Sequence, residues 1–108
     1  MSIENGLYRV TFGTPYGSGF GVAHMVEGEL HGGDSMMAYV GGYSVDGDRF
    51  TANIHAFKHS TVPNIESTLG TENAQLSITG TVQGGSLTGQ GTAPQAPGVT
   101  LQVKLEKL

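Results

Sequence analysis

Apolar and polar residues alternate along most of the chain, which is the pattern of β-strands whose two faces meet different surroundings. The clearest run lies near the C-terminal end, where Val99, Leu101, Val103 and Leu105 alternate with polar residues. A strand places all four apolar side chains on one face, whereas a helix would scatter them around its circumference. This segment is therefore predicted to be a strand with one buried face.

A second alternating region, residues 76–93, predicts a β-hairpin that turns at Gly84-Gly85. Two glycines suit a type I′ turn, because both of its central residues have positive φ. Pairing outward from this turn gives Val82–Leu87, Gly80–Gly89, Ile78–Gly91 and Leu76–Ala93. These residues share one face, and the other face carries Ser, Thr and Gln. One register therefore separates the apolar and small residues of the whole hairpin from its polar residues.

A second hairpin is predicted to turn at Asp46-Gly47, with the pairs Tyr43–Phe50, Gly41–Ala52, Tyr39–Ile54 and Met37–Ala56 on an apolar and aromatic face. The opposite face is mostly polar. It also carries Met36, Ala38, Val40 and Phe57, with Met36 opposite Phe57. Because an exposed apolar strip often marks an interface, these four residues are interpreted as part of a homodimer contact. Cover by a long loop is the alternative.

The N-terminal third predicts three more strands. Tyr8, Val10 and Phe12 alternate with polar residues, and a strand from Phe20 to Val26 leads through a tight turn at Glu27-Gly28 to a short strand ending near Gly32-Gly33. Alternation fails between Phe20 and Gly33, which predicts a bulge near Gly21.

Consecutive hairpins with short turns predict an all-β, up-and-down meander of about eight strands. Closing such a meander removes its two exposed edges. We therefore predict one domain, residues 1–108, built as a closed antiparallel barrel. A two-layer sandwich is the alternative, although it usually needs crossover connections. Residues 58–73 interrupt the meander and are either a lid over the barrel end or a plain connection.

Composition narrows the function classes. The 108 residues contain no cysteine, which excludes disulfides and thiolate metal sites. The net charge is −4 with only five dispersed Lys and Arg, which argues against direct nucleic-acid binding because that needs basic patches. No apolar run approaches the ~20 residues of a membrane helix, so we expect a cytoplasmic chain that does not associate with membranes.

The predicted inner faces carry the aromatic candidates for a binding cavity: Tyr8, Phe12, Tyr39, Tyr43 and Phe50. Gly41, Gly80, Gly89 and Gly91 lie on the same faces and would leave room for a small apolar ligand. The alternative is an interior that large side chains fill opposite glycines. The sequence does not decide between these two.

Histidines and one aspartate are the candidates for chemistry. His24 is predicted opposite His31, and Asp34 follows, so these three could bind zinc or copper or serve a small barrel enzyme. The simpler interpretation is that His24 and His31 are polar residues at the barrel rim. In that interpretation Asp34 is a turn residue whose carboxylate accepts backbone N–H groups. The functional alternative for Asp34 is a polar group at the barrel mouth. We predict the simpler arrangement, with no catalytic residue, no cofactor and no metal.

A family resemblance adds to this picture. Gly6-Leu7-Tyr8 opens the first strand, Gly32-Gly33-Asp34 precedes the spaced residues Tyr39, Gly41 and Tyr43, and Leu105-Glu106-Lys107-Leu108 closes the chain. This arrangement resembles the family of small lipocalin-like (calycin-like) barrels that includes GrlR, a negative regulator of type III secretion in enteric bacteria.

The resemblance implies a bacterial cytoplasmic, non-catalytic regulator. It also implies a homodimer that acts through a protein partner or a small apolar ligand. The family's acidic partner-contact loop would fall at Asp46-Gly47-Asp48-Arg49, where this chain has two acids, a glycine and an arginine.

Overall fold

The computed structural model describes residues 3–64 and 67–108. It contains eight β-strands, each paired antiparallel with its neighbours in the chain. Strand β8 also pairs with β1, so the sheet is a closed barrel in sequence order. The predicted up-and-down barrel is confirmed, and the sandwich is wrong. Within the described ranges, no helix is long and apolar enough to cross a membrane. The strands are β1 (Gly6–Thr14), β2 (Gly17–Val26), β3 (Glu29–Gly33), β4 (Met37–Asp46), β5 (Arg49–Lys58), β6 (Asn73–Gln83), β7 (Ser86–Thr92) and β8 (Leu101–Lys107).

The core lies inside the barrel because alternate side chains of every strand point inward. In β8, Leu101, Val103 and Leu105 are buried, while Gln102 and Lys104 face solvent. On the outside, Arg9 of β1 and Glu106 of β8 form an ion pair of 3.0 Å across the closing ladder. The hydrogen bond from Arg9, with help from Lys104, lowers the pKa of the Glu106 carboxyl below its usual range.

The β6–β7 hairpin has the predicted register, with Val82 opposite Leu87 and the next two inward pairs as expected. The ladder ends one pair earlier than predicted, at Ser77–Thr92. Its turn type differs from the prediction: Gly84 has φ +61°, but Gly85 is outside the positive region. That is the φ pattern of a type II′ turn, which needs glycine only at its first central position. The type I′ pattern occurs instead at Glu27-Gly28, where both residues have positive φ.

The predicted register of the β4–β5 hairpin is wrong by two residues. Its turn is Gly47-Asp48, closed by Asp46 and Arg49, so Phe50 lies opposite Val45 and not opposite Tyr43. Gly47 has φ +64°, which again suits the first central position of a type II′ turn. Because the error is an even number of residues, every side chain within β4 and β5 keeps its predicted face.

The predicted bulge near Gly21 is also wrong. The β1–β2 ladder runs without interruption from Gly6–Met25 to Thr14–Gly17. Alternation fails in the sequence because Phe20 and Val22 point outward into solvent, while Ala23 and Met25 are fully buried. The cause is therefore exposed apolar residues on a regular strand.

Glycines on the inner faces bring strands together and do not make room for a ligand. A Cβ atom at Gly80 would lie 2.3 Å from the carbonyl oxygen of Thr88, and one at Gly41 would lie 2.0 Å from that of Asn53. Both positions therefore require glycine for close approach of neighbouring backbones. Of the two alternatives that the sequence left open, these two positions favour close strand approach, and neither residue lines the interior cavity.

The two ends of the barrel differ in what covers them. The open end carries the connections after β1, β3, β5 and β7, and the closed end carries the other three turns. At the open end the β5–β6 connection folds onto the barrel: Leu69 is buried, and the Thr14 hydroxyl donates a 2.5 Å hydrogen bond to the carbonyl oxygen of Thr68. The described part of the predicted lid or connection thus covers the barrel end, and Ile65 and Glu66 lie outside the described residues.

Candidate ligand-binding site in the barrel interior

A cavity of about 290 Å³ occupies the open half of the barrel interior. Most of its wall is apolar and comes from inward residues of β1, β5, β6 and β8. Met36 and Leu69 cover it from the β3–β4 and β5–β6 connections. A broader groove runs over β5–β8 and β1, but most of the side chains that line it are polar or charged. The interior cavity is therefore the stronger candidate for a ligand site.

The five predicted aromatic residues divide between the two halves of the barrel. Phe12, Tyr39 and Phe50 line the cavity, whereas Tyr8 and Tyr43 are absent from its lining. Phe12 and Tyr39 meet edge to face with ring centroids 6.3 Å apart, and Phe50 stacks on Tyr43 at 5.7 Å. Phe50 thus forms the floor of the cavity, and the rings of Tyr43 and Tyr8 fill space beyond it.

Asp34 gives the cavity one polar end. Its Oδ1 accepts hydrogen bonds from the backbone N–H groups of Met36 and Met37 at 2.9 and 2.7 Å, and its Oδ2 accepts one from the Tyr39 hydroxyl. Both Asp34 and Tyr39 line the cavity. The predicted turn role and the predicted position at the barrel mouth are therefore both correct, and they belong to the same side chain.

The Tyr39 hydroxyl is held in its neutral, donating form. Burial raises the pKa of Tyr39 strongly, and the hydrogen bond to the Asp34 carboxylate raises it further. At neutral pH this hydroxyl therefore donates to Asp34 and keeps its own lone pairs for another donor. Sequence reasoning named both residues but missed this contact, because nothing in the spacing of residues 34 and 39 fixes the direction of either side chain.

Hydroxyl groups at the mouth are the other polar groups that sequence reasoning missed. Ser18, Ser35, Ser67 and Thr68 line the cavity near the open end. Three of them lie in turns or connections, where alternation gives no information about direction. The available signal was their clustering in the segments that must cover one end of a closed meander.

His24 and His31 are paired as predicted, but they lie on the outer wall and are exposed. Asp34 directs its carboxylate to Tyr39 and to backbone N–H groups, so the structure does not join the three residues. Across residues 3–64 and 67–108 no group of three His, Cys, Asp or Glu residues could hold a metal ion. The arrangement gives no support to the metal or enzyme alternative.

The predicted dimer strip needs one correction: Met36 is buried at the cavity mouth. Strand β4 begins at Met37, and the Asp34 turn aims both methionines inward, so alternation does not extend back to Met36. Val40 is exposed, and Ala38 and Phe57 are half-buried on the outside.

The strip continues onto β1 and β2. Leu7, Phe20, Val22 and Val40 are 46, 71, 45 and 41% exposed. Cross-strand pairs connect Leu7 to His24, His24 to His31 and His31 to Val40. We define the apolar wall as the outward residues Leu7, Phe20, Val22, Ala38, Val40 and Phe57.

The predicted partner loop lies at the closed end, away from the cavity. Asp46 and Asp48 are both exposed in the β4–β5 turn. The carbonyl oxygen of Asp48 accepts the Val82 N–H at 2.7 Å, which ties this turn to β6. The two carboxylates are therefore presented on an anchored turn.

A scan against models of protein families found no match, and neither did a search of curated proteins. Function is therefore inferred from the barrel's own residues and from the resemblance already described.

Proposed function

We propose that this protein is a non-catalytic binding barrel that takes up one small, largely apolar molecule in its open half. The observation that carries this proposal is the largely apolar cavity of about 290 Å³, open at its mouth, with one hydrogen-bonding end. At about 30 Å³ for each water-sized group, the cavity has room for roughly ten non-hydrogen atoms. Apolar cavities of this kind stay dry and accept apolar guests.

The non-catalytic part of the proposal rests on the chemistry of the lining. Among the described lining residues, Asp34 and Tyr39 are the only ones with ionisable side chains, and a hydrogen bond joins them. Within this set, no Ser or Thr hydroxyl is hydrogen-bonded to a His, a Lys or a carboxylate that could activate it as a nucleophile. The resemblance to the GrlR-like family supports a regulatory role for the bound state and a cytoplasmic location, and both belong to this proposal.

The test uses naphthalene, an apolar molecule with ten carbon atoms and no head group. We expect naphthalene at its aqueous saturation to shift backbone amide NMR signals of residues in the open half, including Ala52, Ala56 and Leu69. Signals near Leu87 and Val82 at the closed end should move much less. The physical reason is that apolar surface enters the existing cavity without opening the packed half.

Ala56→Leu supplies the blocking variant, because Ala56 lines the cavity and three added carbon atoms take about a third of a volume that naphthalene needs whole. Thr88→Leu, on the exposed outer face of β7, adds the same side chain without entering the cavity. Naphthalene binding should disappear in Ala56→Leu and persist in Thr88→Leu. Absence of binding to the natural protein, or equal binding to both variants, would refute the interior site.

A second proposal concerns the outside: the apolar wall forms a homodimer contact. The supporting observation is that this wall exposes several large apolar side chains on adjacent strands, while the opposite wall is polar. Two copies of one wall make a self-complementary, isologous interface. A regulatory protein partner, contacting Asp46 and Asp48, is the further interaction that the family resemblance implies.

Val40→Glu tests the dimer, because it places a charge at an exposed position of the apolar wall. We expect the dimer fraction, measured by analytical ultracentrifugation, to fall sharply. Thr79→Glu places the same charge on the exposed polar wall and should leave the dimer unchanged. A monomeric natural protein, or an unaffected Val40→Glu dimer, removes the apolar wall as the contact.

A further inference from the structure

We propose that the molecule in the cavity carries a hydrogen-bond-donating head group, a hydroxyl or an ammonium, directed at Asp34, and that carboxylate amphiphiles are rejected. This inference rests on the proposed function, because it names the class of molecule that the same cavity takes. It goes further in assigning a selectivity to one carboxylate.

The charge of the lining is the first reason. Among the described residues that line the cavity, Asp34 is the one charged side chain, and no Lys, Arg or His accompanies it. A ligand carboxylate at the polar end would therefore meet an anion with no neutralising cation. Repulsion between like charges is stronger at a half-buried site than in bulk water.

The direction of the hydrogen bonds is the second reason. An ionised carboxylate accepts at about four lone-pair sites and donates at none. Asp34 already accepts from Met36 N–H, Met37 N–H and the Tyr39 hydroxyl, and only the last uses Oδ2. Oδ2 thus keeps a free acceptor site beside the cavity, and the Tyr39 oxygen keeps acceptor capacity too. Both atoms can accept a further hydrogen bond, so they favour a ligand group that donates one.

The position of Asp34 is the third reason. The backbone hydrogen bonds to Oδ1 hold the carboxylate at the β3–β4 turn, and His59 Nε2 lies 2.9 Å from the Asp34 carbonyl oxygen, tying the β5–β6 connection to the same residue. The carboxylate is therefore fixed before a ligand arrives. A fixed polar group at the end of an apolar cavity sets ligand orientation and selectivity.

Three amphiphiles with the same chain and different head groups test the selectivity: 1-octanol, octylamine and octanoate. Their chains match the size of the cavity. Isothermal titration calorimetry at neutral pH is expected to show octanol and octylamine binding roughly tenfold or more tighter than octanoate. Equal or tighter binding of octanoate would overturn the inference.

Asp34→Asn assigns the effect to the carboxylate. The Asn Oδ1 still accepts the two backbone N–H groups, so the turn keeps its bonds. In this variant the preference for octylamine over octanoate should shrink to about twofold or less. Asp48→Asn, which makes the same change of net charge at the closed end, should keep the full preference. A preference that survives Asp34→Asn would overturn the assignment.

Tyr39→Phe provides a second variant in case Asp34→Asn does not fold. It removes a donor to Oδ2 and leaves the Asp34 charge in place, so the rejection of octanoate should persist. Loss of that rejection would show that Asp34 alone does not set it. The proposed binding site and the proposed selectivity fail in different ways. If naphthalene binds but octanoate is not rejected, only the selectivity is wrong. If neither naphthalene nor any octyl compound binds, the proposed function itself is wrong.

Discussion

The closed and open halves of the barrel share one wall but differ in what their inward side chains do. The closed half holds large side chains such as Tyr8, Tyr43 and Leu87, whose packing leaves no part of the cavity among them. Where the cavity lies, the inward residues Ala23, Ala52 and Ala56 are small, and the space beside their side chains is part of the cavity. Side-chain volume at inward positions, and not a change in strand number or pairing, separates a packed core from a binding site.

Phe50 is the boundary between the two halves, and its removal should have the largest effect. Phe50→Ala is expected to destabilise the fold by about 3–5 kcal/mol, because it removes a buried ring that stacks on Tyr43 and leaves a void. Urea unfolding followed by circular dichroism measures the change.

Phe12→Ala is the matched change in the open half, where Phe12 is only half-buried beside the existing cavity. We expect it to cost about half as much or less, since less surface leaves water when this ring folds. Equal losses for the two variants would erase the distinction between the halves.

Ala56 and Ala74 sharpen the comparison, because they are cross-strand partners that differ in their access to the cavity. Ala74→Val is expected to cost about 1–3 kcal/mol through overpacking, since Ala74 is fully buried and does not line the cavity. Ala56→Val places its methyl groups in empty space and should change stability by about 0.5 kcal/mol or less. Thermal unfolding of both variants checks this, and a large loss in Ala56→Val would contradict an open half with free volume.

The smallest expected effect is on alkaline stability, and it compares one tyrosine from each half. Burial is the main cause that raises the pKa of both Tyr39 and Tyr8. A raised pKa in the folded state gives stability that is complete below the ordinary value of about 10 and is lost as the pH rises above it. Since the pKa of Tyr39 is raised strongly, Tyr39→Phe should flatten the loss of stability between about pH 10 and pH 11. Tyr8→Phe should flatten it less, and the reverse order would contradict the assignment.

The barrel wall was predictable because inward and outward side chains alternate along each strand with a period of two residues. The β6–β7 register followed from sorting, since a slip of one residue would exchange its faces. The same rule explains the error in β4–β5: a shift of two residues preserves every face, so sorting cannot choose between a turn at Asp46-Gly47 and one at Gly47-Asp48. At Phe20 and Val22 the rule failed because it treats every apolar residue as buried.

The candidate site was predictable only in part. The inward position of Phe12, Tyr39 and Phe50 followed from alternation, and the turn role of Asp34 followed from its chemistry. The cavity itself did not, because it is the difference between wall spacing and side-chain volume, and that spacing depends on close contacts such as those at Gly41 and Gly80. The buried position of Met36 and the hydrogen bond between Asp34 and Tyr39 depend on a turn, where alternation does not predict the direction of side chains.

The ladder between β1 and β8 has a consequence for how the protein folds. The other ladders join strands that are neighbours in the chain, whereas Arg9 and Glu106 are 97 residues apart. Loop-closure entropy delays such a distant contact until nearer ones have formed. The seam between first and last strands is therefore the final part to assemble, and until it closes both edges are free to pair with another chain.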